Sequence, residues 1–143
     1  MKKCMRVSAL GMVATLALLS ACTSIGRHEQ VRVYQLKEKG VTMKNPLGYY
    51  EKPVEPLLAG GLNILPGFGN FYLASAGDEP MHYAYGVLNL LFWPLSCLWA
   101  IPDGFISGEN INKREFVQYY FYTDEGKKAL REAGIVLDDS PRY

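Results

Sequence analysis

The sequence predicts a mostly α protein organised around a central apolar helical hairpin. Charge placement carries that reading. From Leu57 to Ala76 no side chain is charged, and from Met81 to Pro102 none is charged again. Each run is about twenty residues, and between them lies Gly77-Asp78-Glu79-Pro80, a turn by composition. Two uncharged runs of that length joined by a short polar turn describe a hairpin of helices. Around it, Gly40 and Gly134 stand where helices stop, and Thr123 stands where one starts.

The two apolar runs differ. The first contains Gly60, Gly61, Asn63, Pro66, Gly67, Gly69 and Asn70, and Pro66-Gly67 is expected to break it near its midpoint. In the second, Tyr83 to Ile101 is apolar on all sides of a helix, as in a deeply buried or lipid-facing element. Pro94 is expected to kink it.

Before the hairpin, residues 22–56 form a polar linker. Gln30–Lys39 reads as a helix ending at Gly40, although Val31 and Val33 also suit a strand. Asn45 to Pro56, with Pro46, Gly48 and Pro53, is irregular by composition. After the hairpin, residues 111–143 read as a water-exposed tail. Phe116 to Tyr122 is rich in strand formers without clean alternation, so a strand at 116–122 and a helix are both open. Thr123 then caps a helix running to Arg131 or Glu132. Asp124 and Glu125 in its first turn and Lys127, Lys128 and Arg131 later suit the helix dipole. Those bases read as a solvated face; contact with anionic headgroups is the sharper alternative.

The N-terminus carries an address. Lys2, Lys3 and Arg6 precede an apolar stretch from Val7 to Leu19, and Ser20-Ala21-Cys22 follows. A basic region, an apolar region and a small-residue cleavage site make a secretory signal, so residues 1–21 are expected to be removed. The stretch is short for a span, which needs roughly 20 residues. Leu19-Ser20-Ala21-Cys22 resembles the lipobox of bacterial lipoproteins. That resemblance implies cleavage before Cys22, a diacylglyceryl group on its thiol and often a further chain on the freed amine. Each buried methylene contributes about 0.8 kcal/mol, so two or three chains anchor where one does not. Thr23 follows where enterobacterial lipoproteins kept in the inner membrane have Asp, which favours the outer membrane, with the inner membrane possible.

The hairpin has a resemblance of its own. Pro66-Gly67-Phe68-Gly69-Asn70-Phe71-Tyr72-Leu73, then Gly86, Leu90-Leu91, Trp99 and Asp103, is similar to the TM2 domain over residues 57–110. That family is a short hairpin of two membrane helices, with a Gly-x-x-x-Phe-Tyr-Leu-Gly-type motif in the first and Trp-x-x-x-Asp closing the second. The motif maps here onto Pro66, Gly67, Gly69, Phe71, Tyr72, Trp99 and Asp103. Ala74 departs from it, standing where the family has glycine. A lipidated N-terminus also places the preceding segment outside the cytoplasm, so the family's topology does not carry over.

Charge tests whether the hairpin spans. With Cys22 on the outer leaflet, a spanning hairpin would put Asp78 and Glu79 in the cytoplasm and leave Lys113, Arg114, Lys127, Lys128, Arg131 and Arg142 outside. The positive-inside rule runs the other way. The broken first run would also need shelter for its backbone groups. A hairpin embedded in one leaflet, or packed at its surface, fits better.

Composition limits the function. Of 15 basic residues, three leave with the signal, so the chain from Cys22 onward sets 12 bases against all 14 acids, a net −2. Nucleic-acid binding needs a dense basic face and is not expected. The 10 Tyr, six Phe and two Trp, most between residues 68 and 122, suit a core or a membrane boundary. Cys97 reads as a small buried hydrophobe. His28 and His82 read as surface or boundary residues, and no cysteine stands at metal spacing to them. Neither Gly-x-Ser-x-Gly nor a P-loop occurs, and Gly67-Phe68-Gly69 lacks the third glycine of a dinucleotide loop. Asp103 reads first as a hairpin-end cap, second as a functional intramembrane acid.

The expected function is therefore non-catalytic, without cofactor or metal. The reading is an envelope lipoprotein, held by membrane lipid on the periplasmic side, that supports or modulates a membrane-protein partner or self-associates through its hairpin. The alternative is a small transport or channel subunit, with hairpins assembled around a polar path near Asn63, Asn70 and Asp103.

Overall fold

Pro66-Gly67 cuts the first apolar run as its residues dictate. The structure, a computed structural model, describes residues 23–137; the signal segment and Cys22 lie outside the described residues. These fold into six α-helices covering 64% of them, with no strand among the described residues. In order they are α1 (Arg27–Glu38), α2 (Pro56–Leu62), α3 (Phe68–Ala76), α4 (Met81–Leu91), α5 (Cys97–Tyr122) and α6 (Asp124–Glu132).

Local chemistry accounts for most boundaries. Glu29 Oε2 accepts from the Gly26 N–H at 2.7 Å, capping α1, which gives way to a turn before Gly40. Proline opens α2, where its missing N–H costs nothing. The Thr123 hydroxyl accepts from the Gly126 N–H at 3.1 Å, the expected cap of α6, with Asp124 and Glu125 in the first turn. The second apolar run is broken, not kinked: α4 ends at Leu91, Phe92–Ser96 forms a link containing Pro94, and α5 begins at Cys97.

The long α5 is the axis of the molecule. α2 and α3 pack on its first half, α4 packs on α3, and α1 and α6 pack on its second half. Small residues permit the close approach: a Cβ on Gly104 would lie 2.9 Å from the Ala59 carbonyl oxygen, and one on Gly108 3.1 Å from Pro56. Val54, Ala59, Leu73 and Ile111 fill the seam.

The segment 116–122 is helix, which corrects the expected strand option. Phe116, Val117, Tyr120 and Phe121 recur at one helical face and are buried against Leu36, Val41, Tyr50 and Leu130. Tyr50 meets Phe116 edge-on, with ring centroids 5.1 Å apart. The Tyr120 hydroxyl both accepts from the Leu47 N–H at 2.6 Å and donates to its carbonyl at 2.7 Å, pinning the irregular 41–50 segment. Burying one such side chain contributes about 1.5–3 kcal/mol, which outweighs a local strand preference. The expected water-exposed tail is thus half of a core, and α5 runs unbroken through residues 110 and 111.

The Gly77–Pro80 turn also sits elsewhere than the far apex of a hairpin. A Cβ on Gly77 would lie 2.9 Å from Ile111 Cδ1, and Glu79 pairs with Arg114. The turn therefore rests against the second half of α5. The opposite end is made of the two links at 63–67 and 92–96, which lie side by side: the Cys97 thiol donates to the Asn63 carbonyl at 3.6 Å. No helix among the described residues is long and apolar enough to cross a membrane.

Candidate functional site

Around the two links the usual arrangement of side chains is inverted. Leu65, Leu90, Leu91, Phe92, Trp93, Leu95 and Leu98 are exposed, with Leu98 76% and Leu91 70% accessible. Asn63, Asn89 and Ser96 are buried, each 2% exposed or less. The buried groups are satisfied within the chain. Asn63 Nδ2 donates to the Ala100 carbonyl at 2.6 Å, and its Oδ1 accepts from the Asn70 N–H at 3.3 Å. Asn89 Oδ1 accepts from the Trp99 indole N–H at 2.9 Å, while the Ser96 hydroxyl donates to the Asn89 carbonyl at 2.8 Å. Pairing inside while presenting hydrocarbon outside is what a lipid solvent demands.

The motif residues shape this end. Gly67 takes φ +75°, and a Cβ there would lie 2.1 Å from the Gly86 carbonyl oxygen, so the bend after Pro66 requires glycine. On Gly69 a Cβ would lie 2.0 Å from the Ala59 carbonyl oxygen, where backbone meets backbone. Phe71 covers Gly86, meeting Phe68 edge-on and Tyr83 at a tilt. The Tyr72 hydroxyl accepts from the Glu55 N–H at 2.8 Å, holding the start of α2. Asp103 does not end a helix. It is 4% exposed inside α5, and its Oδ1 accepts from the Ser107 hydroxyl at 3.4 Å.

A second polar row lies between the apolar end and the aromatic core. His82, expected at a boundary, is 2% exposed. Its Nδ1 is 3.0 Å from Asn70 Oδ1, and its Nε2 is 3.0 Å from Thr23 Oγ1. Burial lowers the imidazole pKa from its ordinary 6.5, against the opposing pull of Asp103 and Glu79. The neutral ring has one donor and one acceptor. Since an amide oxygen only accepts, Nδ1 carries the proton and Nε2 accepts from the Thr23 hydroxyl.

Thr23 is held at its main chain as well. Its N–H donates to the Ser107 hydroxyl at 3.0 Å, and its carbonyl accepts from Asn110 Nδ2 at 2.7 Å. Asn63, Asn70 and Asp103, grouped by sequence as a polar path, thus belong to one connected row with buried His82 and Ser107 and half-buried Thr23. Asn70 Nδ2 lacks a hydrogen-bond partner in it.

Hydroxyl, imidazole and amide in series share the outline of a nucleophile, base and orienting group. Here Thr23 is part of the packing. Its N–H and carbonyl are engaged, and the shallow cleft beside it is lined by Ser24, Ile25, Gln30, Val33, Asn110 and Lys113, with neither Thr23 nor His82 on its wall. The row holds Thr23 at three points against α4 and α5. Among the described residues, no three His, Cys, Asp or Glu side chains are grouped to hold a metal. Compared with known proteins, the chain matches no family model, no curated protein and no solved structure.

Proposed function

We propose that this chain is a non-catalytic envelope lipoprotein, lipidated on Cys22, whose apolar helical end enters the membrane and supports or modulates a membrane partner. The observation that carries the reading is the inversion around the two links: exposed leucines, Phe92 and Trp93 outside, with Asn63, Asn89 and Ser96 paired inside. An apolar surface this continuous on a small protein marks an interaction site for lipid or protein. The Leu19-Ser20-Ala21-Cys22 lipobox supports the lipid anchor, and Thr23 after it favours the outer membrane, on its periplasmic side.

The test uses the mature chain with Cys22→Ser, so that no lipid is attached. Removed from detergent, it is expected to aggregate or to bind vesicles through the apolar end. A stable monomer in plain buffer that ignores vesicles would overturn the reading.

A further inference from the structure

We infer that the Thr23 socket and the apolar end together form a membrane dock of fixed depth, one leaflet deep, in the leaflet that holds the lipid on Cys22. This rests on the lipoprotein reading and adds geometry to it.

The socket fixes where the lipid leaves the fold. Thr23 is bound through its N–H, its carbonyl and its hydroxyl, to Ser107, Asn110 and His82 respectively. These partners stand on α4 and α5, the helices that also build the apolar end. Thr23 directly follows Cys22 in the sequence, so on this reading the acyl chains are tethered one residue from the socket.

The distance to the apolar end matches a leaflet. From Ser107 back to Cys97, α5 runs ten residues, or roughly 15 Å at 1.5 Å per residue. A bilayer's hydrocarbon core is about 30 Å thick, so half of it is about 15 Å. A body reaching that far from the lipidated residue fills one leaflet and stops.

Charge begins at the level of the socket. Residues 81–102 carry none, and Asp103 is buried beneath Ser107. Exposed charge on α5 starts within the socket's own turn with Glu109, between Ser107 and Asn110, which pairs with Lys113 at 2.8 Å. The polar turn sits on that side too, through the Glu79–Arg114 pair. Tyr83, next to His82, is exposed at the same level, a position suited to the headgroup boundary. The occupant that fits the apolar end is therefore the acyl region of one leaflet.

The experiment measures the depth of Trp93 in the lipidated protein, reconstituted in phosphatidylethanolamine–phosphatidylglycerol vesicles. A Trp99→Phe variant leaves Trp93 as the sole tryptophan, and its emission is quenched by lipids brominated near the start or the end of the acyl chain. The inference predicts at least twofold stronger quenching by deep bromines, and the reverse order for Trp at position 83 in a Tyr83→Trp chain lacking Trp93 and Trp99. Wild type, with both tryptophans at the apolar end, should show the same deep preference, which guards against a misfolded variant. Shallow or aqueous quenching of Trp93 on vesicle-bound, lipidated protein would overturn the fixed depth and leave the lipoprotein reading standing. Quenching of Trp93 by acrylamide trapped inside the vesicles would show spanning and overturn it too. Cys22 without lipid on the membrane-extracted chain would instead overturn the lipoprotein reading.

Discussion

Thr23 Oγ1 lies 3.0 Å from His82 Nε2, tying the start of the described chain to a histidine 59 positions away. The contact joins the residue after Cys22, the proposed lipidation site, to the start of α4. It also gives the fold a buried imidazole whose protonation is opposed by burial.

The folded pKa of His82 is lowered, chiefly by burial, so the unfolded chain binds the extra proton first as pH falls. Stability is therefore full above the ordinary value of 6.5 and declines as pH drops from there toward the lowered folded value. Urea unfolding in mild detergent between about pH 8 and 5 should show this loss. His82→Gln should flatten the slope over that range, and an unchanged slope would assign it to another group.

Gly69 faces backbone, which cannot move aside. Gly69→Ala places a methyl about where the Ala59 carbonyl oxygen stands, 2.0 Å from the ideal Cβ. A loss of about 1–3 kcal/mol is expected, as for other overpacked cores. Thermal unfolding of Gly69→Ala beside Gly61→Ala, where nothing lies within 4 Å, isolates the clash from glycine's general effect.

Phe116→Ala should cost about 3–5 kcal/mol, because Phe116 is 1% exposed at the centre of the aromatic core. Since α5 runs through both the aromatic core and the apolar end, the two should melt together. Tryptophan fluorescence reports the apolar end and far-ultraviolet dichroism the whole. Coincident transitions are predicted; separate ones would divide the chain into two units.

Asn63→Ala removes a donor to Ala100 O and an acceptor for Asn70 N–H, both buried. Leaving such groups unpaired costs about 1–3 kcal/mol. Denaturant midpoints of Asn63→Ala and of the exposed control Leu57→Ala should differ accordingly.

Where a boundary depends on a few neighbouring residues, it was legible in the sequence. The break at Pro66-Gly67, the Thr123 cap and the end of α1 before Gly40 are local chemistry, and each has its expected place. Phe116 to Tyr122 was harder because Val, Tyr and Phe favour strands locally, while the deciding contacts come from Leu36, Val41, Tyr50 and Leu130. The helical spacing of Phe116, Val117, Tyr120 and Phe121 was the signal that could have settled it. For Gly77–Pro80, composition announces a turn but not the side of the molecule it lies on; Ile111 and Arg114 decide that. The burial of His82 had no signature, since it needs Asn70 and Thr23 brought from other segments. Asn63, Asn70 and Asp103 were singled out as a polar group, and the fold gathers them, with Ser107 and Thr23 added by tertiary contact alone.

The proposed anchor, and the leaflet it selects, depend on lipid at one thiol. Mass spectrometry of the N-terminal peptide, taken from membranes of a bacterial host, reads this directly. The predicted peptide starts at Cys22 and is heavier by a diacylglyceryl group, with or without a further acyl chain on its amine. A chain still starting at Met1, or an unmodified Cys22, would contradict the account.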